Sequence, residues 1–276
     1  MKWSKRTTAE TAIAYRDTFT KDIVGRYTDA SEQEPVLKMM ELKENAFILD
    51  AGCGTGRYLA NICRTNQFLA VDVSLEMIKV ARNQVKKGFY VVGDIEHLPL
   101  KECIFDEVIC VRVLQHIKNQ MEAIKELSRV CRVGGNVILL SLNSWTLHCL
   151  YKNMRMTRLI KIINHPFKYL LGKKVASKLP FGEWAFDYDN YCSSPELCRM
   201  FKSAGLNVLE ERGGTIGSPW LFNYSYLGKV LEKLTPNILR YYFKKCRVLE
   251  DMLSCIFPFK YLLDKVIIKG IKEGRK

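Results

Sequence analysis

Apolar residues in the first half of the chain gather in short runs that end in an acid or a glycine, and stretches with a helical period separate them. Phe47-Ile48-Leu49-Asp50-Ala51 reads as a buried strand, Gly52-Cys53-Gly54-Thr55-Gly56 as the turn that follows, and 58–64 as a helix. The run 68–72 is a second strand ending in Asp72, and 90–92 is a third, ending in Gly93-Asp94-Ile95. Further on, Ser193-Ser194 and Pro195 open a helix that turns Leu197, Met200 and Phe201 inward, stops near Gly205 and precedes a strand over 207–211. Leu227, Val230, Leu231 and Leu234 fall at helical spacing, and Leu249, Met252, Leu253 and Ile256 repeat the stripe, with Pro236 between the two helices. The terminal segment DKVIIKGIKEGRK is β-branched and charged at its end, which predicts a last edge strand.

This pattern places chemistry at the carboxyl ends of strands, where open α/β sheets bind ligands. The glycine spacing is GxGxG, not the GxGxxG of dinucleotide sites. A flexible backbone there can approach a ligand closely, and Asp50 ahead of it suits a cationic or zwitterionic group better than a pyrophosphate. Asp72 follows the first glycine by about 20 residues, the spacing of an acid that accepts from ribose hydroxyls. Asp94 supplies a third acid at the same end. Met77 and Ile78 read as core residues on a helix face, and Asp106 as a structural acid where a strand begins.

The motifs LDAGCGTG, VDVSLEMIKVAR, GDIEHLPLKECIFDEVIC, VLQHI and LSRVCRVGGNVILL stand in this order between residues 45 and 145. Together they resemble the class I S-adenosylmethionine-dependent methyltransferases, in particular the subgroup acting on small molecules and quinones. The resemblance implies S-adenosyl-L-methionine as cofactor. Gly52, Cys53 and Gly54 would hold its methionine part with Asp50 near the amino group, Asp72 would bind the ribose hydroxyls, Asp94 would accept from the adenine amino group, Ile95 would pack on the ring, and Val73 would be among the cofactor-binding residues. It also implies that the segment AYRDTFTKDIVGRY folds its aromatics Tyr15, Phe19 and Tyr27 over the cofactor, with simple helix packing the competing reading. Val133 stands where the family often has proline, and Gln115 where histidine or asparagine is frequent. Neither departure touches the three acids. His116, just past the fourth strand, is the candidate general base, against a role in lining the pocket or capping a helix.

Composition changes this picture in three respects. The ten cysteines are scattered, and none forms a CxxC pair or a His/Cys cluster with zinc spacing, so reduced thiols and no metal are expected. With a polar start and no apolar run of spanning length, the chain is expected to be cytoplasmic or peripheral to a membrane. The net charge of +14 is not explained by the cofactor motifs. Residues 151–178 hold eight lysines and arginines without an acid, interleaved with aromatic and aliphatic residues. An amphipathic lid helix is the first reading of that segment, a membrane-surface helix the second, and a nucleic-acid face the third.

The expected architecture is a doubly wound, mostly parallel, seven-stranded Rossmann-like α/β sheet. Residues 1–145 carry the N-terminal helices and the cofactor core, 146–190 a basic helical lid, 191–218 the resumed core, 219–262 a second helical lid and 263–276 the terminal strand. The expected function is methyl transfer to a small, lipophilic acceptor. An RNA (tRNA) methyltransferase and a non-catalytic S-adenosylmethionine-binding regulatory module are the alternatives.

Overall fold

In the computed structural model, residues 8–41, 43–145, 190–215 and 233–274 are described. The expected basic lid over 146–190, apart from Asn190, and the stripe residues Leu227, Val230 and Leu231 lie outside them. Seven strands form one sheet: β1 (Phe47–Ala51), β2 (Gln67–Asp72), β3 (Phe89–Val92), β4 (Phe105–Val111), β5 (Cys131–Leu142), β6 (Leu206–Gly214) and β7 (Lys265–Lys272), in the order β3-β2-β1-β4-β5-β7-β6. The first five are parallel, and β7 runs antiparallel to both neighbours.

The two-residue period of the strands divides the core between the faces of the sheet. Leu49, Val108, Leu139 and Ile268 meet α5 (Gln120–Val130) and α6 (Ser194–Ser203) on one face. Ile48, Ile109, Ile138 and Ile267 meet α2 (Ile23–Met39), α3 (Leu59–Ile62) and α4 (Leu75–Gln84) on the other. Helices on both faces make the sheet doubly wound, as expected. Local chemistry sets the helix ends: Ser74 Oγ accepts from the Met77 N–H to open α4, and Ser193 and Glu196 form the capping box of α6. Met77 and Ile78 are buried, and the Asp106 carboxylate accepts from the Phe47 N–H while pairing with Arg132, a structural acid as read.

Three expectations change. The helix expected over 58–64 is a single turn, because the glycine loop uses up most of the chain between β1 and β2. The terminal strand is not at an edge. It lies between β5 and β6, and β6 is the edge, so its β-branched run reflects burial on both faces and pairing on both sides. The stripe of Leu249, Met252 and Ile256 lies on α7 (Pro236–Leu253) and just beyond it, but it faces outward. The buried face of α7 is Leu239, Phe243, Cys246 and Glu250, and it packs on Ile23, Val24 and Tyr27 of α2. Two apolar stripes share this helix, and periodicity alone does not say which one a neighbour covers.

Candidate cofactor site

The strand order reverses between β1 and β4, and the crevice outside their carboxyl ends is where the expected site residues converge. β1 delivers Asp50 and then the loop, in which Gly52 and Gly54 have φ of 80° and 52°, values that a side chain resists. A Cβ on Gly52 would come within 2.3 Å of the Val113 side chain, whereas one on Gly54 would meet nothing nearer than Tyr15 at 3.8 Å. The backbone at Gly54 is therefore open on the side that faces the N-terminal helices. The N–H groups of Gly52 and Cys53 donate to the Val71 carbonyl at 2.7 and 2.9 Å, which pins the loop to β2.

Asp72 at the end of β2 is buried and accepts from the Gly54 N–H at 2.9 Å and the Ser74 N–H at 2.8 Å, one on each oxygen. Each oxygen keeps capacity for a further donor. Burial raises its carboxyl to about 6 against the pull of those two N–H groups. Asp50 is buried more severely. Its Oδ2 has no hydrogen-bond partner, and burial reinforced by Asp72, with Arg57 opposing, raises it to about 7. A buried carboxylate oxygen without a donor costs free energy unless something supplies one. The chemistry of this pair fits a ligand that carries an ammonium and vicinal hydroxyls.

Asp94 follows β3, partly buried, with Oδ1 accepting from the Glu96 N–H at 3.0 Å, and Ile95 is buried behind it. Val73 is partly buried beside Asp72. Asp50, Gly52, Cys53, Gly54, Asp72, Val73, Asp94 and Ile95 thus stand at one end of β1, β2 and β3.

His116 closes a short 3-10 turn (Leu114–His116) after β4. Burial, with Arg112 adding to it, lowers its pKa to about 4, so the imidazole is neutral but weakly basic. The expectation of a pKa suited to a general base is therefore corrected: the ring lies too deep and too close to a guanidinium.

Sequence reading missed the charged groups that tie the N-terminal helices to the site. Arg57, directly after the glycine loop, binds Asp29 at 2.6 Å and Glu32 at 2.8 Å, and its guanidinium lies 3.7 Å from the centre of the Phe19 ring. Glu32 is fully buried and also meets Arg112 at 3.0 Å and Lys265 at 2.7 Å. Burial alone would raise its carboxyl, but Lys265, Arg112 and Arg57 hold it far below the usual range. These contacts bring α1 (Ala9–Thr20) and α2 over the loop, with Tyr15 and Phe19 at its mouth. Tyr27 is elsewhere, stacked on Phe243 at 4.3 Å.

A family model described as a methyltransferase domain matches residues 49–139. An uncharacterised protein of Methanocaldococcus jannaschii is 30% identical over 76% of this chain and 84% of its own length. A demethylmenaquinone methyltransferase of Bacillus cytotoxicus is 29% identical over 67% and 80%. The chain belongs to the class I S-adenosylmethionine-dependent methyltransferases. A solved S-adenosylmethionine-dependent methyltransferase from Thermotoga maritima superposes with a TM-score of 0.60 at 17% identity, over 96% of this chain and 97% of that one. That likeness extends the fold of this methyltransferase beyond the matched domain to β6 and β7. The enzyme uses S-adenosylmethionine.

Proposed function

We propose that this methyltransferase transfers its methyl group to a small, lipophilic acceptor, with the cofactor held by the residues gathered at the β1, β2 and β3 ends. Asp72 accepts from the ribose hydroxyls, with Val73 alongside. Asp50 receives the ammonium that its unpartnered oxygen lacks, and Gly52, Cys53 and Gly54 follow the methionine part. Asp94 accepts from the adenine amino group, and Ile95 packs on the ring. The observation that carries this reading is the pair of buried acids, Asp50 and Asp72, both with accepting capacity unused and both set against the glycine loop.

S-adenosylmethionine supplies a methyl group on a sulfonium, already activated for in-line displacement. The protein then has to hold the acceptor atom against that carbon and keep water away. Tyr15 and Phe19 on α1, held by Arg57, form an apolar wall over the loop for this purpose. His116 is neutral and lies 3.3 Å from the Gln115 side-chain nitrogen. At about 4 its basicity is a poor match to a phenol or alcohol proton, so the rate rests on orientation rather than on proton removal. The quinone precursor named for the Bacillus cytotoxicus relative supports the lipophilic acceptor.

Labelled methyl groups supplied as S-adenosylmethionine to a cell extract, followed by separation into lipid-soluble, aqueous, RNA and protein fractions, test the proposal. Label is expected in the lipid-soluble fraction. Label confined to RNA would replace it with nucleic-acid methylation, and cofactor binding without transfer to any fraction would replace it with a regulatory module.

A further inference from the structure

α7 carries two apolar faces, and among the described residues only one is packed against the rest of the molecule. Leu239, Phe243 and Cys246 are buried against α2. On the far side Ile238 is 68%, Tyr241 62% and Met252 60% exposed, joined by Val248 and Leu249. The patch continues past the helix through Ile256 and Phe257, the latter 76% exposed. Single exposed apolar residues are normal, but a continuous stripe along a whole helix marks a surface that meets something.

The charges around the stripe select its partner. Arg240, Lys244 and Lys245 are exposed on the same helix. Arg240 reaches Asn237, and Lys245 lies over the Tyr241 ring, so neither contact neutralises a cation. The acids of α7 do not offset them: Glu250 is buried, and Asp251 pairs with Arg212 at 3.0 Å. A second copy of this face would bring cations against cations. Nucleic acid would engage the cations through its phosphates and Tyr241 and Phe257 through its bases, but it would leave Ile238, Val248, Leu249, Met252 and Ile256 in water. Aliphatic and aromatic side chains flanked by cations that pair with no acid among the described residues match an interfacial helix that lies in the headgroup region of a bilayer. Among the described residues no helix is long and apolar enough to cross a membrane.

We infer that the outward face of α7, continued through Ile256 and Phe257, docks this enzyme on an anionic lipid surface. The docking surface is distinct from the cofactor crevice and does not depend on the nature of the acceptor. It is joined to the crevice through α2, which packs on α7 and supplies Asp29 and Glu32 to the arginines of the site.

The test is sedimentation of the full chain with phosphatidylcholine vesicles, with or without phosphatidylserine. Binding is expected to the mixed vesicles, to be weaker on phosphatidylcholine alone, and to fall with added salt. The double variants Leu249→Glu/Met252→Glu and Lys244→Glu/Lys245→Glu should each weaken binding about tenfold or more. All four residues are exposed, so melting temperature and S-adenosylhomocysteine affinity should match those of the parent. Absence of binding to anionic vesicles overturns the inference. Unchanged binding in both variants moves docking to another segment such as 151–178 and equally overturns it, as does a dimer that Leu249→Glu/Met252→Glu disperses or RNA binding that the lysine variant abolishes.

Discussion

Cofactor affinity should fall steeply as the pH drops below neutrality, and the acids at the ends of β1 and β2 set the size of the fall. Burial raises Asp50 to about 7 and Asp72 to about 6, so the ligand-free protein holds protons where ordinary carboxyls have lost them. Folded values raised in this way favour the ligand-free fold at low pH, and that contribution is lost as the pH rises through 6 to 7. Ligand binding has the opposite sign, because an ammonium at Asp50 and hydroxyl donors at Asp72 both require carboxylates. Asp72 contributes to the rise at Asp50, so the protons leave in two coupled steps that belong to the pair. With steps near 7 and 6, roughly three quarters of the molecules have both acids ionised at about pH 7.5, against on the order of 1% at about pH 5.5.

The affinity for S-adenosylhomocysteine should therefore drop about a hundredfold over that interval, with proton release on binding at the lower end. Titration calorimetry in buffers of different ionisation enthalpy measures both quantities. Asp50→Asn should remove the upper step and leave the roughly fourfold fall that Asp72 alone produces. An affinity independent of pH, with no proton released, would refute the placement of the cofactor against these two acids.

Asp72→Ala should weaken S-adenosylmethionine binding about tenfold or more, because hydrogen bonds to a charged acceptor are worth roughly 1.5–3 kcal/mol; unchanged affinity in calorimetry would count against its role. Glu32→Ala leaves Arg57, Arg112 and Lys265 without their shared carboxylate, and urea unfolding should show a loss of about 3–5 kcal/mol. In the parent protein, the Glu32 contribution is present above the ordinary carboxylate range and disappears only as the pH falls towards its depressed folded value. The His116 ring should titrate near 4 by NMR and move upward in Arg112→Met, whereas His116→Ala should leave S-adenosylhomocysteine affinity unchanged. Ser193→Ala removes the α6 capping box and should cost about 1 kcal/mol in the same urea assay.

What was legible in the sequence divides along physical lines. The strands β1 to β3, the glycine loop and the three acids are local patterns, each written within a few consecutive residues, and the structure places them together. The identity of the terminal strand was legible too, but not its place. Lys265–Lys272 reads as a strand from its own residues, yet its position between β5 and β6 depends on segments far away in sequence. The same limit explains α7, where two stripes of similar hydrophobicity compete and the choice was made by Tyr27 and its neighbours on α2.

The buried charges were the least legible, and they connect the fold to the site. Glu32 lies in a polar stretch of α2 that reads as solvent-facing. Its partners Arg57, Arg112 and Lys265 follow at intervals no motif encodes, and Arg112 adopts a φ of 58° where β4 ends. A non-glycine residue in that conformation is held there by its surroundings, and the Arg112 N–H is fixed to the Leu140 carbonyl at 2.8 Å. One carboxylate thus joins the residue after the glycine loop, the residue after β4 and the first residue of β7. Sequence motifs describe the loop and the acids gathered at the ends of β1, β2 and β3. The alignment of α1 and α2 above it is set by a charge cluster whose members have meaning only once the chain has folded.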